Sequence, residues 1–359
     1  MAPSQDRPAD LVRLNANESP YDLPAAIKDE ILEAARDLPF NRYDPGLADG
    51  LRDQLAAYAD PRSPGRVTAE NVVLGNGSDE IILLVNEVFA GPGGRTVIVS
   101  PSFEMYHITA ARIGAATARF ELESGRAAGA GTSFALDVDR LVRACHDASV
   151  VFICRPNNPT GTVAPEEAIH RLLAETPAVV AVDEAYHEFT GLTVAPLAPR
   201  SERLVVLRTL SKLFSLAGLR LGYAIAPVSL AEKMNRARLP FNVSTFTQLA
   251  AGSVLRRRAE LEPLRRAIMA ESARLQGELV RRPGVTVHLS GANFILVETP
   301  LSAADLADAL RRRGVLVRTY PDEPSLAHHI RVNAGRPDEG DAFLTAFDGV
   351  LSPGKDWRA

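Results

Sequence analysis

Lys212 stands where a lysine can do covalent chemistry. It follows the apolar run 204–207 in a polar loop, with a hydroxyl three residues before it at Thr209 and an arginine eight residues after it at Arg220. A lysine acts as a nucleophile or Schiff-base partner only when its pKa falls, and partial burial beside another cation achieves that. Arg220 can fork onto a phosphate, which a lysine does less well. The set suits a covalently held cofactor that carries a phosphate. Only Lys28, Lys212, Lys233 and Lys355 are lysines among 40 basic residues, so this one stands out. A solvated loop lysine is the plainer alternative on this stretch alone.

Other stretches offer further groups. The apolar run 179–182 ends in Asp183-Glu184-Ala185-Tyr186. A carboxylate after a buried apolar strand is costly unless it meets a cation, so Asp183 is a partner either for a protonated ring nitrogen or for a structural salt bridge. Gly75-Asn76-Gly77-Ser78-Asp79-Glu80 lies between a strand and an apolar helix. Glycines there let backbone N–H groups and the helix dipole face an anion, although Ser78 and Asp79 would also serve as plain N-caps. Pro101-Ser-Phe-Glu-Met-Tyr106 puts two aromatics at a strand end, for stacking on a flat ring or for the core. Arg155-Pro-Asn-Asn-Pro-Thr-Gly161 is a rigid turn cluster offering the amides of Asn157 and Asn158.

The elements that must hold these groups alternate along the chain. A helix is expected over 25–37 and another over 47–59. Strands are expected at 72–74, 96–99, 150–154, 179–182, 204–207 and 221–226, with helices at 81–89 and 138–144 among them. Residues 124–133 form the one low-complexity loop. A long helical region runs to about Arg282, and the tail alternates again: strand 293–297, helix 303–313, strands 315–318 and 330–332, and a helix near 338–351. Polar loops at the strands' C-terminal ends describe an α/β sheet with its site along that edge. The division expected is an N-terminal arm over 1–35, a large domain over 36–245 with a mostly parallel sheet, and a smaller α+β domain over 246–359.

The bulk numbers bound the partners. With 359 residues the chain can bury a large core. A hydrophobic content of 46%, a charged content of 23% and a net charge of -4 give no argument for nucleic acid or a membrane surface. The arginine clusters 256–258, 265–266 and 311–313 have helical spacing and read as solvated faces. Cys145 and Cys154 have no Cys-x-x-Cys spacing and no histidine pair nearby, so neither a disulfide framework nor a metal is expected. With no apolar leader and no apolar run of membrane length, a cytoplasmic, reduced protein is expected.

Taken together, these stretches resemble the fold-type I pyridoxal-phosphate aminotransferases, and most closely the histidinol-phosphate aminotransferases. The matching pieces are 14–20 (LNANESP), 41–43 (NRY), 75–80 (GNGSDE), 101–106 (PSFEMY), 154–162 (CRPNNPTGT) and 182–186 (VDEAY). They continue through 208–212 (RTLSK), 216–223 (LAGLRLGY), 240–244 (PFNVS) and 314–318 (GVLVR), in the family's order and across residues 11 to 340. The resemblance implies pyridoxal 5'-phosphate held through Lys212, which also moves the substrate's α-proton. It implies that Asp183 keeps the ring nitrogen protonated, that Tyr186 and Asn157 reach the ring hydroxyl, and that Phe103 stacks on the ring. The cofactor phosphate falls to the helix start at Gly77, Ser78 and Asp79, to Thr209, Ser211 and Arg220, and to Tyr43 of a partner subunit in a homodimer with shared sites. For the substrate, the resemblance implies Arg331 on a carboxylate or phosphate, Arg318 on a phosphate, Asn157 again, and Tyr21 in a covering N-terminal segment.

The activity this implies is transamination of L-histidinol phosphate with 2-oxoglutarate, a step of histidine biosynthesis. Paralogues for aromatic or other amino acids, and threonine-phosphate-type decarboxylases, share the same cofactor motifs. Three stretches depart from the family: Asp44 after Asn41-Arg-Tyr43, the run Thr319-Tyr-Pro-Asp-Glu-Pro324 after Arg318, and Val332-Asn-Ala-Gly-Arg336 after Arg331. Tyr320 and Asp322 are placed to reshape the distal pocket. A non-catalytic relative would have lost Lys212 or Asp183, and a dinucleotide site would need Gly-x-Gly-x-x-Gly.

Overall fold

The apolar runs become the middle of a seven-stranded sheet in the computed structural model, which describes residues 11–44, 46–63, 65–126 and 132–351. In chain order, β1 (Val12–Arg13) precedes β2 (Val72–Asn76), β3 (Arg95–Ser100), β4 (Ala116–Glu121), β5 (Glu123–Arg126) and β6 (Thr132–Ala135). Then follow β7 (Val150–Cys154), β8 (Val179–Asp183), β9 (Leu204–Thr209) and β10 (Leu221–Ile225). The large sheet runs β2-β10-β9-β8-β7-β3-β4. Only β10 runs against its neighbours, β2 and β9; the other pairings are parallel. The protein has the α/β architecture expected, with a mostly parallel central sheet flanked by helices.

Parallel sheets covered on both sides need side chains that are apolar on both faces. Val151, Ile153, Val180, Val182, Leu204 and Val206 enter one core. Val150, Phe152, Ala181, Val205 and Leu207, on the opposite face, enter the other. Asp183 and Thr209, at the ends of β8 and β9, therefore share one edge of the sheet with the end of β7. Because β10 is antiparallel, its first residue, Leu221, lies at that same edge opposite Asn76. The sheet thus brings Lys212, Arg220 and the helix Gly77–Val85 to one place.

A buried ion pair ties the two central strands together beside this edge. Arg208 donates from Nε and Nη2 to Glu184 Oε2 at 3.0 and 2.9 Å, and both side chains are almost wholly buried. Thr193 and the Val194 N–H also donate to that carboxylate, at 2.7 and 2.6 Å.

Several elements differ from the sequence expectations. The helix read over 81–89 begins at Gly77 and passes into a π-helical turn over Asn86–Ala90. β4 is a sheet edge whose side chains are mostly exposed or half-buried, so it lacks the apolar run that marks the central strands. The ends of the low-complexity loop pair as the β5–β6 hairpin; its residues 127–131 lie outside the described residues, as do residues 1–10 of the expected arm. The helices Glu166–Glu175 and Val228–Ala237 also went unread.

The smaller unit contains β11 (Thr286–Val287), β12 (Phe294–Glu298), β13 (Val315–Leu316) and β14 (His329–Asn333). β11, β12 and β14 form an antiparallel sheet, while β13 pairs in parallel with β1. The expected division after residue 245 cuts off the helix Thr245–Arg256, yet Ala250, Ala251, Val254 and Leu255 pack in the large core. Packing changes over inside the helix Glu262–Leu279. Ile268 joins the large core, whereas Leu275 and Leu279 join the small one together with Leu14 of the N-terminal segment.

Glu184→Gln would leave the Arg208 guanidinium buried without a counter-charge. We expect the first unfolding transition in urea to lose about 3–5 kcal/mol of stability; a loss below about 1 kcal/mol would show that the pair is not what ties β8 to β9.

Candidate active site

At the sheet edge lies a cavity of about 330 Å³ whose walls include Ser78, Asp79, Phe103, Asp183, Tyr186, Thr209, Ser211, Lys212, Arg220, Arg318 and Arg331. Eleven of the residues expected to hold cofactor or substrate are thus brought together. Asn15, Ala16, Asn17, Ser102, Glu104, Cys154, Asn158, Ala185 and Tyr320 complete the wall.

Asp183 is at the bottom. Its carboxylate accepts hydrogen bonds from Tyr106 Oη at 2.7 Å and from the Ala185 N–H at 3.0 Å. Among the described residues no cation stands within ion-pair distance of it, so the salt-bridge alternative falls away. Burial pushes this carboxyl up to about 6, and the Tyr106 and Ala185 hydrogen bonds only partly oppose that. A protonated ring nitrogen would supply the missing cation. Tyr106 is itself held between aromatics, stacked on Phe152 at 4.7 Å and edge-on to Phe103 at 5.8 Å. It is the site's principal unassigned residue: the sequence showed an aromatic pair at a strand end and nothing that chose between ring stacking and core.

Lys212 lies across the cavity, largely buried, with Nζ 5.5 Å from the centroid of the Tyr186 ring. Burial draws its ammonium down to about 8; the Arg331 guanidinium adds to this and Asp183 opposes it. The sequence argument had named Arg220 as the neighbouring cation, but its effect is smaller than that of Arg331. Tyr186 Oη accepts a hydrogen bond from Asn17 Nδ2 at 2.9 Å, and its ring meets Phe294 edge-on at 5.1 Å.

The third part of the site suits an anion. The helix Gly77–Val85 begins after Asn76 with no side chain capping it, so Ser78 and Asp79 are first-turn residues rather than caps. Uncapped first-turn N–H groups and the helix dipole favour a phosphate. The Thr209 hydroxyl donates to Ser211 Oγ at 2.9 Å, and Arg220 Nη2 meets Asp79 Oδ2 at 2.9 Å. Two glycines make room for this cup. Gly77 has φ +75°, and a Cβ on it would stand 2.4 Å from Arg220 Nη2; a Cβ on Gly222 would stand 2.3 Å from the Ser78 nitrogen. Hydroxyls, a guanidinium, uncapped amides, a lysine and an uncompensated carboxylate fit a phosphate-bearing aldehyde cofactor with a basic ring.

Two more cations line the cavity. Arg331 is buried, donates to Asn158 Oδ1 at 2.6 Å and to the Asn15 carbonyl at 2.7 Å, and keeps Nε without a partner. No described carboxylate lies within ion-pair distance of it. Arg318 is half-exposed and pairs with Glu104 at 3.0 Å. The backbones of Arg318 and Arg331 bridge each other in both directions, at 3.0 and 2.9 Å.

Three expectations place differently, and Tyr43, expected at a partner subunit's phosphate, lies outside this cavity. Asn157 does not line the cavity, because its amide braces the loop, donating to the Pro101 carbonyl and Thr160 Oγ1 and accepting from Ser102; its neighbour Asn158 faces the cavity instead. Tyr21 packs against the large core, and Asn15 to Asn17 are the part of the N-terminal segment that reaches the site. Gly77 shapes the cup without lining it. Tyr43 is 76% exposed and stacks on Phe241 in a separate surface groove.

With this geometry in place, the chain belongs to the aminotransferase class I and II family, whose sequence profile matches residues 9–347. It is 37% identical over 347 residues to the histidinol-phosphate aminotransferase of Desulfitobacterium hafniense (strain Y51), covering 95% of this chain and 92% of that protein. The crystal structure of the histidinol-phosphate aminotransferase from Clostridium acetobutylicum superposes with a TM-score of 0.84 at 25% identity, covering 95% of this chain and 99% of that one. The Sinorhizobium meliloti histidinol-phosphate aminotransferase, solved with pyridoxal-5'-phosphate, shares the fold with a TM-score of 0.80 at 22% identity, covering 94% and 90% of the two chains.

The lowered lysine makes a pH prediction. With a pKa of about 8, the neutral amine is about a tenth of Lys212 at pH 7 and nearly all of it above pH 9. The rate at which cofactor-free protein captures pyridoxal 5'-phosphate should therefore rise roughly tenfold from pH 7 to 9, following the neutral amine. Arg331→Met should move that rise to higher pH, because a cation that favours the neutral form is gone. A rise centred near the ordinary lysine value, unmoved by Arg331→Met, would contradict the assignment.

Proposed function

We propose that the chain transfers the amino group of L-histidinol phosphate to 2-oxoglutarate, giving imidazole-acetol phosphate and L-glutamate in histidine biosynthesis. The observation that carries this reading is the set of charges on one cavity: Lys212, an Asp183 with no described cation within ion-pair distance, and the two guanidinium groups of Arg331 and Arg318. Pyridoxal 5'-phosphate bound there supplies an electron sink for the substrate's α-carbon. Lys212 carries it covalently and, when free, takes the proton from that carbon at Nζ. Asp183 keeps the ring nitrogen protonated, and Tyr106 holds the Asp183 carboxylate in place. Tyr186, held by the hydrogen bond from Asn17, would serve the ring hydroxyl, and Phe103 would offer its face to the ring. The first-turn residues Ser78 and Asp79, with Thr209, Ser211 and Arg220, grip the phosphate, and Gly77 leaves room for Arg220 beside them.

Both half-reactions use the same cavity. Arg331 meets an anionic group of either substrate, aimed by Asn158 and the Asn15 carbonyl, while Arg318 takes the phosphate of the donor. Glu104, which pairs with Arg318, gives way to that phosphate. The segment Asn15 to Asn17 closes the cavity over the reacting atoms.

The chain works as a homodimer in the cytoplasm. Phe40, Tyr43 and Phe241 are large, exposed and line one surface groove, an apolar patch that supports contact with a second copy and lets Tyr43 reach that copy's phosphate cup. Both cysteines are free and buried, and no described helix is long and apolar enough to cross a membrane.

The test is a single half-reaction. L-histidinol phosphate added without a keto acid should shift the visible band of the loaded protein to that of the aminated cofactor. Arg318→Ala should raise the concentration needed for that shift roughly ten- to a hundredfold, the worth of a charge-assisted hydrogen bond, and leave a non-phosphorylated donor nearly unaffected. A band that stays in place with histidinol phosphate sinks the donor assignment. Equal effects on both donors remove Arg318 from the phosphate.

A further inference from the structure

The small domain gathers a second set of chemistry-bearing side chains away from the cavity. His288 directly follows β11, Glu298 closes β12 and His329 opens β14. Side chains alternate faces along a strand, and directly paired residues share a face. Glu298 pairs with His329, and His288 stands opposite Leu296, to whose carbonyl its N–H donates at 3.0 Å. The three side chains therefore rise from one face, while Val287, Ile295, Val297, Ile330 and Val332 fill the small core from the other.

The two imidazoles are buried and face each other, Nε2 to Nε2, at 3.2 Å. Glu298 Oε2 lies 4.0 Å from His329 Nε2, and one ligand atom from each of the three residues falls within 4.8 Å of the others. We propose that His288 Nε2, His329 Nε2 and the Glu298 carboxylate bind a divalent transition-metal ion of the zinc class, with water completing the shell. Zinc–nitrogen bonds of about 2.0–2.1 Å at a tetrahedral angle hold two nitrogens roughly 3.3 Å apart, close to the separation these rings already have. Two imidazoles with one carboxylate suit zinc and its neighbours, whereas magnesium and calcium call for oxygen-rich sets.

Phe134, from the β5–β6 hairpin, covers the histidines, with its ring centroid 4.9 Å from that of His288 and 6.5 Å from that of His329. Glu298 is 46% exposed along its side chain, so it can swing the remaining distance, and ion and water enter past it. A plain hydrogen bond between the rings also yields the 3.2 Å contact, but it gives Glu298 no part. The ion would clamp β11, β12 and β14 two residues before Arg331, and so bears on the small domain's stability rather than on chemistry at Lys212.

The experiment uses untagged holoenzyme, treated with a chelator, dialysed and titrated with Zn²⁺ while thermal unfolding is followed. One equivalent per chain and a raised unfolding temperature are expected, with the visible cofactor band unchanged. Losing even a residue that only orients a ligand costs roughly 10–100-fold in affinity. His288→Ala and His329→Ala should therefore each weaken binding at least about a hundredfold, and Glu298→Gln about tenfold. No stoichiometric binding by the unaltered protein overturns the site, as does binding that His288→Ala and Glu298→Gln leave intact. Should His329→Ala fail to fold, those two variants decide.

Discussion

An ionised carboxylate at the end of an apolar strand is the constraint on which this site depends. Asp183 ends β8, whose other residues are valine and alanine, and it is almost wholly buried. A tyrosine hydroxyl and one amide are the hydrogen bonds it accepts, too little to offset its burial. The sheet makes this position available because β8 lies between β7 and β9. Neighbouring strand ends then deliver Cys154 and Thr209 beside it, and the loop after β9 delivers Lys212.

The remaining charges are arranged around that one. Arg331, also buried and with no described carboxylate within ion-pair distance, helps to draw the Lys212 ammonium down. The two half-exposed pairs, Arg220 with Asp79 and Arg318 with Glu104, are of the kind that contributes little to stability. Each arginine could therefore pass to an anionic group at small energetic loss. The Glu184–Arg208 pair differs: it is fully desolvated, and it fixes the two strands that carry Asp183 and Lys212.

How much of this was legible in the sequence varied with the physical signal. The central strands were plain because burial on both faces demands unbroken apolar runs, and Asp183 and Lys212 were plain because each interrupts or follows such a run. β4 was missed because an edge strand may be polar, and the helix Glu166–Glu175 because nothing in its neighbourhood suggested chemistry. Asn157 and Asn158 are equivalent in composition, and only the turn geometry decides which amide braces the loop and which faces the cavity. Tyr106 carries no sign of its role in the sequence, since that role rests on one hydrogen bond to a residue 77 positions away. His288, Glu298 and His329 form no motif in one dimension; strand register alone brings them together.

The most direct test of the account is the protonation state of the cofactor's ring nitrogen, read by ¹⁵N NMR on protein loaded with ring-¹⁵N pyridoxal 5'-phosphate. The account predicts a protonated nitrogen across the neutral range in the unaltered protein and an unprotonated one in Asp183→Asn. A nitrogen that is unprotonated in the unaltered protein, or protonated equally in both, would contradict the role given to the buried carboxylate.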